Sequence, residues 1–299
     1  MRTTFINELT TLTATNNNIH LIVGDLGFSV IEDFQTKYPE NFLNAGVAEQ
    51  NMTGVAAGMA SEDCHVFTYS IANFPTFRCA EQIRNDIDYH NFPVTIVVVG
   101  AGVAYGALGY SHHAVQDYAL MRTMPNMLIA APGDPFEVKA CVNYLINNPQ
   151  PSYLRLGKNG EKNFNLNVPL IEPGHWNLIN KSTNPTNKIA IVTTGTVLNR
   201  ALLVNENLDY DVFSLPLWGM RCKDQQLEYI SRYDKIITIE DHLLDAGFGS
   251  WMLESLSKDP QERLKIKSFG LSQEVCGMVG EQETLMDACL NLNELMISG

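Results

Sequence analysis

The run Pro93–Val99, PVTIVVV, is apolar at almost every position, so a β-strand built from it presents hydrophobic side chains on both faces. Both faces then need cover, and a parallel sheet with helices packed on either side supplies it. Shorter strand-like runs recur at His20–Val23, Asn41–Ala45, His65–Ser70, Met127–Ala130 and Pro151–Leu156. Between them lie helical patterns, at Thr3–Thr13 through Phe5, Leu9 and Leu12, and at Thr76–His90 and Val115–Arg122. At Gly133–Glu137 the string GDPFE predicts a helix start, with Asp134 as the cap, Pro135 in the first turn and Glu137 near the capping-box position.

This βα rhythm closes a first unit at residues 1–160. Residues 161–187 are polar, Asn-rich and interrupted by Pro169, Pro173 and Pro185, and read as a linker carrying a hairpin. Four more strand-like runs follow within residues 188–299, at Lys188–Thr194, Asp211–Leu217, Lys235–Glu240 and Leu264–Phe269. The expected fold class is α/β, with two open, mainly parallel-sheet domains.

An excess of acidic over basic residues, 33 against 20 for a net charge of −13, argues against nucleic acid or an anionic membrane as the main partner. No apolar run reaches the roughly 18 residues of a membrane span, and the opening MRTTFINELTTLT lacks a signal-peptide core, so a cytoplasmic protein is expected. Six cysteines without CxxC spacing suggest neither zinc nor a disulfide framework.

Chemistry concentrates in FLNAGVAEQNM, Phe42–Met52, where Glu49 is the one acidic side chain among small and apolar neighbours. Loss of water there raises a carboxyl pKa and favours a protonated, hydrogen-bond-donating Glu49; a lone glutamate is more often a solvated surface residue. In a helical reading Gly46, Gly54 and Gly58 form a bare ridge, with Met52, Ala56 and Met59 near the face of Glu49. The glycine-rich segment GAGVAYG after the apolar strand lacks the following amphipathic helix and the acidic residue of a dinucleotide fingerprint. Its glycines are read instead as allowing close approach of a ligand. Two histidines follow, His112 and His113, in GYSHHAVQDYALMR, and the first suits proton transfer near neutral pH.

The stretch FLNAGVAEQNMTGVAAGMA closely resembles the transketolase family, and the resemblance runs through GYSHHAVQDYALMR and over nearly the whole chain. It implies a pyrimidine-binding domain followed by a transketolase C-terminal-like domain, and thiamine diphosphate as cofactor. Glu49 falls on the glutamate that bonds the aminopyrimidine ring and His112 on the active-site histidine. In TYSIANFPTFRCAEQIRN the aromatic that stacks on the pyrimidine corresponds to Phe74 or Phe77. Arg2 and Ser29 match phosphate-contacting positions, Lys158 replaces an arginine, and a cationic loop position is Gly100. Leu108 stands where an acidic residue recognises a sugar hydroxyl, with Ala107 in place of the preceding glutamate. His242, in EDH at a strand end, is read as structural, with a substrate contact as the alternative.

No Gly-Asp-Gly string occurs, GDLGFS being the nearest. The family's diphosphate clamp needs that motif with a divalent cation, so Mg2+ and the clamp are expected on a separate N-terminal subunit, in an α2β2 assembly, and no metal ligand is assigned here. The implied reaction is transfer of a two-carbon unit from a ketose or 2-oxo acid to an aldehyde or ketone sugar acceptor. The alternatives are the β subunit of a decarboxylating 2-oxo acid dehydrogenase-type or deoxyxylulose-phosphate-synthase-like enzyme, and a non-catalytic subunit retaining the fold.

Overall fold

A computed structural model describes residues 1–297. Among the described residues, twelve strands form two sheets. The first holds β1 (Ile19–Val23), β2 (Phe42–Asn44), β3 (His65–Ile71), β4 (Val94–Val99), β5 (Leu128–Ala130), β6 (Ser152–Leu156) and β10 (Leu217–Gly219), in the order β10-β5-β6-β4-β3-β1-β2. The second is β12-β11-β8-β9-β7, built from β7 (Asn177–Asn180), β8 (Ile189–Thr193), β9 (Asp211–Ser214), β11 (Lys235–Leu243) and β12 (Ile266–Leu271). Both sheets are parallel except at one edge, where β10 and β7 run antiparallel to their neighbours.

The valine-rich strand β4 sits between β3 and β6 and is buried along its whole length, as a run apolar on both faces requires. The capping expected at Gly133–Glu137 is present in a shifted form. The Asp134 carboxylate accepts from the Glu137 N–H at 2.7 Å, while Glu137 Oε2 accepts from the Gly133 N–H, one residue earlier than in a standard capping box.

Three expectations are corrected. The helix expected over Thr76–His90 begins at Asn73, breaks at Cys79 and continues as a π-helical turn over Ile83–Asp88. The run Asp211–Leu217 is not one strand: it divides at Leu215-Pro216, and β10 crosses to pair with β5 of the first sheet. Pro216 brings no N–H to a ladder, and its carbonyl accepts from the Ala131 N–H at 2.8 Å, which steers the chain across. The segment before residue 188 forms no hairpin but one strand, β7, paired to β9, and is held to the first unit where Asp134 Oδ2 accepts from the backbone N–H groups of Phe164 and Asn165.

Among the described residues no helix is long and apolar enough to cross a membrane, and no cluster of His, Cys, Asp or Glu is placed to hold a metal.

Candidate active site

Glu49, Phe74 and His112 lie in segments that follow the carboxyl ends of β2, β3 and β4, the side on which the crevice of an open α/β sheet binds ligands. Glu49 begins the helix Glu49–Ala60, with Met52, Ala56 and its own side chain buried. Gly46 lies before the helix with φ of 72°, a conformation favouring glycine. The glycine ridge is therefore shorter than expected, and a Cβ at Gly54 or Gly58 would meet nothing within 4 Å.

Glu49 is 3% exposed, yet its neighbourhood is not purely small and apolar. Arg78 Nη1 donates to Glu49 Oε2 at 2.9 Å, while Oε1 is buried without a partner. The cleft around this pair, about 420 Å³, is lined by Val47, Ala48, Glu49, Gln50, Asn51 and Arg78. Next to Glu49, a Cβ on Gly24 would come within 3.6 Å of Ser70 Oγ and 3.8 Å of Glu49 Cγ, and Ser70 Oγ is also buried and unpartnered.

Phe74, on the helix Asn73–Arg78, carries the Arg78 guanidinium carbon 4.3 Å above its ring centre and meets the His112 ring edge-on at 5.3 Å. Phe77 is half exposed and makes no ring contact among the described residues. His112 ends a 3-10 turn at Tyr110–His112, and its Nδ1 lies 3.0 Å from Ser111 Oγ. Burial, followed by the adjacent His113, lowers its pKa and keeps the imidazole neutral near pH 7. Asn73 holds this loop against the helix, its Nδ2 donating to the carbonyl of His113 at 2.6 Å and to that of Ser111 at 3.3 Å. Glu49, Phe74 and His112 thus converge, with Arg78 and Asn73 as two members that sequence reasoning passed over. Both stand in the quoted stretch TYSIANFPTFRCAEQIRN, and Arg78 follows Phe74 at the i+4 spacing that brings helix side chains together.

A second group lies near the ends of β3 and β4. Lys158 Nζ is 5.5 Å from the Tyr105 ring centre, and the Arg2 charge opposes the burial-driven rise of both the Tyr69 and Tyr105 pKa values. Neither cation makes an ion pair among the described residues, and Arg2 Nε is buried without a partner. Ser29 is exposed with φ of 66°, its N–H bonded to Glu32, on a turn whose Gly27 packs against the Tyr69 ring. Gly100, also at positive φ, leaves room for the Tyr105 ring, which a Cβ would overlap. Leu108 is 58% exposed, Tyr110 and Val279 are exposed as well, and a Cβ on the intervening Gly109 would come within 3.2 Å of Val279.

For His242 the alternative of a substrate contact is corrected. The side chain is fully buried, stacked on Tyr118 at 5.3 Å, and packs between the two sheets instead of facing the crevice. Desolvation holds its pKa low. The neighbouring Glu240 explains Gly247 and Gly249: its carboxylate accepts from the N–H groups of Phe248 and Gly249 at the start of the next helix, in space that a Cβ on Gly247 would invade.

Residues 1–160 match the sequence profile of the transketolase pyrimidine-binding domain. The chain belongs to the transketolase family. It is 30% identical over 279 residues to one of the subunits of an apulose-4-phosphate transketolase from Phocaeicola vulgatus, covering 91% of this chain and 88% of that one. It is 31% identical over 274 residues to a putative transketolase C-terminal section from Methanocaldococcus jannaschii, covering 90% and 85%. Among solved structures, a split-gene transketolase described as an inactive β4 tetramer superposes with a TM-score of 0.80 at 28% identity, over 96% of this chain and 91% of that one. This transketolase-family chain is of the C-terminal type found in a split transketolase-like enzyme.

Proposed function

We propose that this chain supplies the cofactor-activating half of a thiamine diphosphate-dependent transketolase-like transferase, active when joined to a separate subunit carrying the Gly-Asp-Gly clamp and Mg2+, as an α2β2 assembly. One observation carries the reading: the Glu49 carboxyl is buried with Oε1 unpartnered, near Gly24 and Ser70, and is linked through Arg78 to the face of Phe74. A buried polar atom left unmade is costly, and the polar edge of an aminopyrimidine ring satisfies it. Thiamine diphosphate, when bound, supplies the acidic carbon that accepts and releases the two-carbon fragment.

The chain's own residues have distinct tasks in this reading. Glu49 bonds the ring edge. Phe74 supplies the flat apolar face, with Phe77 outside it. His112, its pKa lowered by burial and its Nδ1 3.0 Å from Ser111 Oγ, has Nε2 left to accept or return a proton at the oxygen of the reacting carbon. Arg2 and Lys158, two cations without ion-pair partners among the described residues, suit the phosphate of a phosphorylated donor or acceptor, with Ser29 as a further hydroxyl. Leu108 accepts no hydrogen bond, so the hydroxyl recognition usual at its position is replaced by apolar contact. The glycine face at Gly54 and Gly58, open in this chain, is suited to close backbone packing against the second subunit.

The donor in this reading is a ketose or 2-oxo acid, and the acceptor an aldehyde or ketone of sugar type. The relative from Phocaeicola vulgatus, named for apulose-4-phosphate, makes a phosphorylated branched sugar a sensible first substrate to assay. Glu49→Gln, in the chain reconstituted with its partner, should lower turnover by roughly 10²-fold or more while the two subunits still co-elute. Turnover equal to wild type would remove the basis of the assignment.

A further inference from the structure

Arg78 occupies both elements that the proposed site offers to a pyrimidine ring. Its guanidinium, a planar group with N–H donors on its edge, lies 4.3 Å over the Phe74 ring and bonds Glu49 Oε2 at 2.9 Å. Stacking face and carboxylate are thus engaged by one side chain of this chain.

The engagement is partial. Arg78 uses one nitrogen and one carboxylate oxygen where a guanidinium can form two parallel bonds, and Glu49 Oε1 remains unpartnered. The Arg78 side chain is 49% exposed, so water can take its charge if it swings out, whereas Glu49 cannot move into water. Its backbone is fixed, because Gln50 Nε2 donates to the Arg78 carbonyl at 2.8 Å. Rotation about side-chain bonds alone therefore opens the site.

We infer that Arg78 is a gating residue that fills the pyrimidine position by mimicking the ring and must be displaced for thiamine diphosphate to bind. The inference rests on the reading of Glu49 and Phe74 given above. A site whose competent state is a minority population binds with its affinity lowered by that fraction. Removing the competitor restores it.

The test is a titration of thiamine diphosphate with Mg2+ into the chain reconstituted with its clamp-bearing partner, followed calorimetrically. Arg78→Ala should tighten the apparent Kd by roughly tenfold, as for a site about one-tenth open in the wild type, and should speed cofactor association. Arg78→Gln, shorter and neutral but still planar and polar, should tighten binding less, and Arg78→Lys, which keeps the charge without the planar face, should fall between wild type and Arg78→Ala. An Arg78→Ala or Arg78→Gln complex that binds no more tightly than wild type overturns the inference, and weaker binding shows that Arg78 contacts the bound cofactor instead. Glu49→Gln separates the two failures: if it abolishes turnover while Arg78→Ala titrates like wild type, the function stands and the gate falls; if Glu49→Gln retains turnover, the underlying reading falls.

Discussion

Two buried carboxylate–arginine contacts in this molecule are built in opposite ways. At the junction of the two sheets Arg155, fully buried, donates from Nε to Asp117 at 2.7 Å, from Nη1 to Asp241 at 2.6 Å and to Tyr118 at 3.2 Å, and from Nη2 to the Ala114 carbonyl at 2.7 Å. In the crevice, Glu49 and Arg78 share one bond, with one oxygen left over and the cation half in water. A charge buried with every donor satisfied is held in place, since removing any partner strands the rest. A charge buried with half its capacity unused is a receptor. The same chemistry thus serves the joint between domains in one place and a ligand site in the other.

The largest effect should come from breaking the joint. Arg155→Ala leaves Asp117 and Asp241 buried and facing each other across a cavity. Loss of one partner from a buried ion pair costs about 3–5 kcal/mol, so the urea midpoint should fall sharply. A change within about 0.5 kcal/mol, the ordinary range for a surface substitution, would mean that this network is not what locks the sheets together.

The contrast also separates what sequence reveals from what it hides. Glu49, Phe74 and His112 stand in short motifs, and the structure brings them together because their segments follow the carboxyl ends of β2, β3 and β4 in one parallel sheet. Arg78 was visible in the same stretch, but its contact with Glu49 depends on tertiary placement across 29 residues and on a side-chain conformation. Arg155 lies in SYLRL, a run read as one more apolar strand, and its carboxylate partners are 38 and 86 residues away. A cation in the middle of a buried strand does signal a partner, though no local pattern names it. The division of Asp211–Leu217 was hidden differently, since the run reads as one strand and only the crossing at Pro216 assigns β9 and β10 to different sheets.

Between the two extremes lies Glu254, whose carboxylate takes both Nη groups of Arg122 at 2.8 Å and Lys223 Nζ at 2.6 Å while staying 43% exposed. The Arg122 bond, against some desolvation, lowers its pKa from 4.5 to about 2. A carboxyl with a depressed folded-state pKa contributes stability that is complete above its unfolded value and is lost as pH falls through the folded one. Glu254→Gln should therefore cost about 1 kcal/mol or less near pH 7, the solvent-screened worth of a half-exposed pair. The difference from wild type should shrink as pH drops from about 4.5 toward 2. Denaturation midpoints for both proteins across that range test this, and a gap that widens on acidification would reverse the assignment.

The smallest effect on stability should come from the contact with the greatest effect on binding. Arg78→Ala removes one hydrogen bond from a half-exposed cation and its stacking on Phe74, but Glu49 then stands buried with neither oxygen bonded. Those terms oppose one another: water can enter the open cleft beside Glu49 once the guanidinium is gone, offsetting the lost ion pair. The net change in unfolding free energy should be about 0–1 kcal/mol, the range for exposed ion pairs, measured by urea denaturation of the chain alone. A loss as large as that expected for Arg155→Ala would make Arg78 a structural tie of the same kind, and the difference between the two sites would disappear.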